Sequence, residues 1–173
     1  MNVFNAIKQL NTKWVIVITL IAITWVNFNI VRWQKGNIIT HDVISYYCYL
    51  PATFYEHDLS LAFTDDSLNR EIEGRYYWPT IDAEGNKRIK VNMGMAVSDL
   101  PFFGAAHVYC KLFNEEANGF SDPYHFAVQF SSLFYFMIGL IFLLRILKLY
   151  FEPKVVFITS LAIIFVTTII YYL

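Results

Sequence analysis

The stretch Thr40-His41-Asp42-Val43-Ile44-Ser45-Tyr46-Tyr47-Cys48-Tyr49-Leu50-Pro51 sets one acid ahead of three tyrosines. A carboxylate in such a place can take a proton from an attacking hydroxyl or amine. Thr40 is positioned to cap a helix, which puts His41 and Asp42 in its first turn, where a negative charge suits the helix dipole. Asp42 therefore fits two roles, a helix-start acid and a base. Ser45 has no histidine and acid set out around it in the manner of a serine hydrolase. His41 and His107 are lone histidines beside apolar residues, where a hydrogen-bonded core or interface role is the commoner one.

The elements that must hold these residues follow from composition. Hydrophobic residues make up 57% of the 173-residue chain and charged residues 16%, too apolar for an ordinary soluble domain. The apolar residues gather in three uncharged runs: Trp14 to Val31 (18 residues), Phe126 to Leu144 (19) and Val155 to Leu173 (19). Each is near the length a helix needs to cross roughly 30 Å of hydrocarbon, and backbone in lipid must satisfy its own hydrogen bonds. The expected architecture is mainly α and integral to a membrane, with spans at 14–31, 126–147 and 155–173. Trp14 and Trp33 flank the first span where aromatic belts sit. Its apolar run is too long for a cleaved leader and Asn27-Phe28-Asn29 offers no small-residue cleavage site, so it reads as a retained signal anchor.

Basic residues set the orientation. The tail, 1–13, has Lys8 and Lys13 and no acid. The short connection 148–154 has Lys148 and Lys154 against Glu152, with Arg145 at the helix end. The long loop, 32–125, carries eight basic and thirteen acidic residues. Tail and short connection are thus expected inside the cell and the long loop outside, in the inner (plasma) membrane. The net charge of −1, with no basic stripe, argues against a nucleic-acid partner.

Within the long loop, Val43, Tyr46, Tyr47, Leu50 and Phe54 recur at helical spacing and predict an amphipathic helix. A polar stretch from His57 to Gly74 follows, holding Asp58, Asp65 and Asp66. Arg75 to Ile81 and Lys87 to Val91 flank Asp82-Ala-Glu-Gly-Asn86 and predict a short β-hairpin, with Arg88 and Lys90 as exposed charges. Gly94 to Phe113 predicts a second interfacial helix, interrupted by Ser98, Asp99 and Pro101. Cys48 and Cys110 both lie in apolar, helix-like segments, where free buried thiols are favoured over a bridge. The third run reaches Leu173 without interfacial residues. This is the pattern expected of the N-terminal part of a longer polytopic protein.

The chain resembles the beginning of a GT-C-type membrane glycosyltransferase, the superfamily of protein O-mannosyltransferases and lipid A aminoarabinose transferases. The resemblance runs from about Trp14 to the end. It rests on the order of a span, Asp42 to Phe54, His57-Asp58-Leu59, Lys90-Val-Asn-Met-Gly94-Met-Ala96 and Leu100-Pro-Phe-Phe-Gly-Ala-Ala-His107 before a second span. It implies transfer of a sugar from a polyprenyl-phosphate donor to an acceptor outside the membrane. Asp42 matches the first-loop acid and would be the base. Lys90 matches a basic position, with Arg88 nearby, for the leaving lipid phosphate. Tyr46, Tyr47 and His107 complete the candidate substrate-binding set. Several relatives hold a divalent cation with a D-x-D or E-x-D pair. The segment His41-Asp42-Val43-Ile44 lacks one, which leaves Asp58 as a candidate second ligand and metal use open.

A different class stands beside this one: a non-catalytic multi-pass membrane protein, either an accessory or assembly subunit or a piece of a transporter. The transporter version calls for ionisable residues inside the spans. Only Arg145, at one end, answers to that. Oligomeric state is not legible.

Overall fold

A computed structural model describes residues 13–30, 32–35, 38–61, 80–88 and 91–166. It is mainly helical. The chain divides into two compact units, a terminal one (Met1–Val31 with Ser132–Leu173) and a central one (Arg32–Ser131).

The terminal unit holds α1 (Lys13–Ile30), α5 (Asp122–Tyr150) from Ser132 onward, and α6 (Pro153–Val166). Its core is Val15, Leu140, Leu144, Val156, Phe157 and Ile164, and α1 packs directly on α6. Pro153 opens α6, where its fixed φ and missing N–H are no handicap. The amides of Asn27 and Asn29 donate back to the carbonyls of Ile23 (2.9 Å) and Trp25 (2.8 Å), so these polar tips are satisfied on the helix itself. Trp14, Ile21, Trp25, Phe28, Phe142, Ile146 and Ile158 are all exposed. Among the described residues α5, at 29 residues, is the one helix long and apolar enough to cross a membrane; α1 and α6 are apolar but shorter.

The central unit holds a 3₁₀ turn (Arg32–Lys35), α2 (His41–Tyr47), α3 (Tyr49–Phe54), a two-stranded antiparallel hairpin and α4 (Gly94–Phe113). The hairpin pairs β1 (Thr80–Ile81) with β2 (Lys87–Arg88), Thr80 opposite Arg88, around the expected turn. The remainder of both expected strands lies outside the described residues. The single amphipathic helix expected from Thr40 is two helices. Pro51 has no N–H to give to the Tyr47 carbonyl, so the ladder breaks at Cys48 and Pro51 falls in the first turn of α3. The buried line also differs from the expected one. Ile44, Tyr47, Cys48, Leu50, Pro51 and Ala52 face the core, whereas Tyr46 is half-buried and Phe54 exposed.

Both α2 and α3 pack on α4. The inward residues of α4 are Ala96, Asp99, Phe103, Ala106 and Cys110, one stripe at three-to-four spacing. Its opposite face exposes Val97, Leu100, Val108 and Leu112. Asn114 ends the helix in the left-handed region, φ 55°. Both cysteines are free and buried.

The loop from α4 to α5 is fixed by Gly119, whose φ is +84°. A Cβ there would stand 2.9 Å from the Cβ of Pro51. Gly119→Ala should therefore destabilise by about 1–3 kcal/mol, since both backbone strain and crowding oppose it. In contrast, Gly104→Ala, with open space around the added carbon, should be neutral or stabilise by roughly 0.5–1 kcal/mol. Thermal unfolding of the two variants in detergent, compared with wild type, measures the contrast.

Candidate functional site

Asp42 lies in the first turn of α2 with its side chain exposed. Thr40 takes the N-cap position with extended backbone and receives the Val43 N–H on its carbonyl at 3.0 Å, but its hydroxyl does not cap the helix. His41 is exposed and left-handed, φ 51°, a conformation uncommon outside glycine that histidine enters more readily than most. The acid thus sits on a sharp bend at the rim of the central unit.

The tyrosines divide by one helical step. Tyr47 is buried, its hydroxyl donates to the Gly119 carbonyl at 2.5 Å, and its ring meets Phe103 and Phe120 edge-on at 6.0 and 5.9 Å. Burial pushes its phenol pKa well above the ordinary value. Tyr46 is half-buried. Tyr49 donates to the carbonyl of Val91 at 3.2 Å. That bond fastens the residue after Lys90 to α3. Lys90 itself, with Asp65 and Asp66, lies outside the described residues.

Arg88 is turned to Asp82, 2.9 Å away across the hairpin. The Asn86 backbone N–H holds the Asp82 carboxyl below its usual pKa. Burial works against this, while the Asn86 amide, the Glu84 N–H and the Arg88 charge add to it. Both side chains of this pair belong to a solvated turn. Asp58 is half-buried, and its Oδ1 accepts from the Ser60 N–H (2.8 Å) and hydroxyl (2.5 Å). Among the described residues no three of His, Cys, Asp and Glu gather as a metal-binding group.

His107 faces the core side of α4. Its Nδ1 and the Tyr124 hydroxyl are 2.7 Å apart, and its ring stacks on Phe103 at 6.1 Å and 13°. Desolvation, then the Lys111 charge, lowers its pKa.

Two residues escaped the sequence reading. Asp99 is 6% exposed and its Oδ1 is hydrogen-bonded to the Ser131 hydroxyl on α5. Burial raises its pKa, the Ser131 bond working against the shift. The signal was its spacing: Asp99 shares the stripe of Ala96, Phe103, Ala106 and Cys110. His125, fully buried, accepts at Nδ1 from the N–H groups of Ile38 (3.3 Å) and Ile39 (3.0 Å), so that ring nitrogen carries no proton. Nothing in the sequence pairs it with residues so far away.

The structure therefore gathers Tyr47, His107 and Asp99 in or against the core of the central unit and leaves Asp42 open at its edge. No protein-family model, curated protein or solved structure matches the chain.

The lowered pKa of His107 has a definite sign. The unfolded chain takes up a proton near the ordinary value of 6.5, before the folded one does, so this histidine's contribution is full above that pH. It is lost as pH falls through the folded pKa. His107→Phe should unfold with a thermal midpoint less sensitive to mild acid than wild type. An identical acid dependence in the two would show that His107 does not titrate in this range.

Proposed function

We propose that the chain carries the first loop of a GT-C-type membrane glycosyltransferase, with Asp42 as base. The proposed topology has three spans, at 14–31, 126–147 and 155–173, a tail on the cytoplasmic side and a loop outside. Three features support it. α5 has the length and apolarity of a span. The outward stripe of α4 is apolar while its one buried carboxyl faces in, the reverse of a helix bathed in water and suited to an interfacial one. Trp33, Phe126, Phe130 and Phe102 form a chain of ring contacts, 5.5, 6.2 and 5.9 Å between centroids, at the ends of the proposed first and second spans. Such aromatics mark a membrane boundary.

The observation that carries the enzymatic reading is the Tyr49–Val91 bond. It ties Val91, the residue that follows Lys90 in sequence, to the same helix pair that presents Asp42. In the proposed reaction an acceptor hydroxyl or amine gives its proton to Asp42 and attacks the anomeric carbon of a polyprenyl-phosphate sugar. The bond to the phosphate breaks, and Lys90, with Arg88 released from Asp82, stabilises the departing lipid phosphate. Tyr47 and His107 enter this reading as framework, Tyr46 as the ring nearest the acid in sequence. A divalent cation is not assigned a site.

Two measurements bear on this. Asp42→Asn, in the enzyme that contains this chain, should lower transfer from a polyprenyl-phosphate sugar by about 10²–10⁴-fold, the usual worth of a general base, with membrane insertion unchanged. Undiminished transfer would remove Asp42 from the mechanism. For topology, the buried native thiols give a quiet background. A cysteine introduced at Glu84 should react with an impermeant maleimide in intact cells, and one at Glu152 only after permeabilisation. The opposite pattern would invert the topology.

A further inference from the structure

Ser131 stands between two oxygens. Its Oγ meets Asp99 Oδ1 and lies 3.2 Å from the carbonyl of Val128 on its own helix. A serine hydroxyl has one proton to donate and lone pairs with which to accept. It can serve only one of these oxygens as a donor. Val128 also accepts the helix-ladder N–H of Ser132, and a proton on the Asp99 carboxyl would let that acid donate to Ser131 Oγ while the Ser131 proton turns to Val128. Burial favours the same proton. Asp99 is 6% exposed and Ser131 1%, and no described Lys, Arg or His pairs with Asp99. A carboxylate buried without a cation is strongly disfavoured.

The titratable group facing this carboxyl from α2 is Tyr47, around which stand Cys48, Cys110 and Tyr124. Phenols and thiols are uncharged at neutral pH, and burial pushes Tyr47, Cys48 and Cys110 further that way. Among the described residues no neighbour supplies the charge that an ionised Asp99 would need. Ser131 also falls within the uncharged run Phe126 to Leu144. On the topology proposed above, the pair lies beside the outer end of the second span.

We propose that Asp99 is a proton-binding site, its bound proton bridging α4 to α5 through Ser131 Oγ. The proton comes from water and returns to it; only the carboxyl O–H bond forms and breaks. With the proton in place α4 and α5 are joined across a neutral contact. Without it the charge draws the Ser131 proton away from Val128 and pulls water toward the pair, and the junction loosens. The site is distinct from Asp42, which is exposed and on another helix.

Infrared spectroscopy of the whole chain in lipid nanodiscs tests this directly. At neutral pH the wild type should show a protonated-carboxyl C=O band that Asp99→Asn removes and that titrates away in alkali. Ser131→Ala should move that band to higher frequency, because the acid loses its acceptor. Amide exchange of α4, corrected for its intrinsic pH dependence, should accelerate in alkali for wild type and not for Asp99→Asn. A neutral-pH spectrum in which Asp99→Asn removes no such band would overturn the proposal. So would a band indifferent to Ser131→Ala, which decides alone if Asp99→Asn does not fold. None of these readings needs a sugar donor, so the outcome is independent of whether transfer is observed.

Discussion

The central unit closes around the hydroxyl of Tyr47. That group reaches the backbone carbonyl of Gly119, in the loop that joins α4 to α5, while its ring is held between Phe103 and Phe120. The bond is possible because Gly119 has no side chain and can take a positive φ against Pro51. Pro51 in turn breaks the helix ladder at Cys48 and lets α2 and α3 lie on α4 as two pieces. One buried donor thus connects the break, the packing and the loop. It also explains why Tyr47 belongs to the framework. A buried phenol whose partner is a backbone carbonyl is expensive to withdraw, since the carbonyl would lose its partner too.

Much of the outline was legible in the sequence because it rests on length and local chemistry. Long uncharged runs can be little but helices, and Asp82-Ala-Glu-Gly-Asn86 carries its own turn, closed by Asp82 accepting from the Glu84 and Asn86 N–H groups. Direction was harder. Tyr46 and Tyr47 are neighbours of one type, and only tertiary packing decides which turns inward. The apolar face drawn through Val43, Tyr46, Tyr47, Leu50 and Phe54 contains the buried Tyr47 and Leu50 but misses Ile44, Cys48 and Pro51 for that reason. In the sequence Asp99 interrupts an apolar helix. The usual rule sends a lone acid outward, and here the outward side of α4 is the apolar one. His125 was invisible because its partners lie 86 and 87 residues away.

The candidate chemistry and the fold's framework occupy different places. Asp42 is exposed at a left-handed bend, and the rest of the central unit does not depend on its side chain. Tyr49 links the framework to the segment after Lys90, so the rigid part can set the spacing of a site without supplying its reactive groups. Rigid support with reactive groups at the rim is the ordinary arrangement of loop-borne sites. It also leaves room for change: the rim can vary in charge and shape while Tyr47, Phe103 and Gly119 keep the helices in register.

The bond from Ile38 and Ile39 to His125 has a consequence for the chain as a polymer. It ties together the two ends of the central unit, so everything between is a loop whose neck is already shut. Closing a loop costs entropy that grows only logarithmically with its length, by about 0.6 kcal/mol for each doubling. Once the imidazole has set the neck, a longer path between its two ends adds little to that cost. The neck holds the two ends of the central unit to their spacing whatever the length of the path between them.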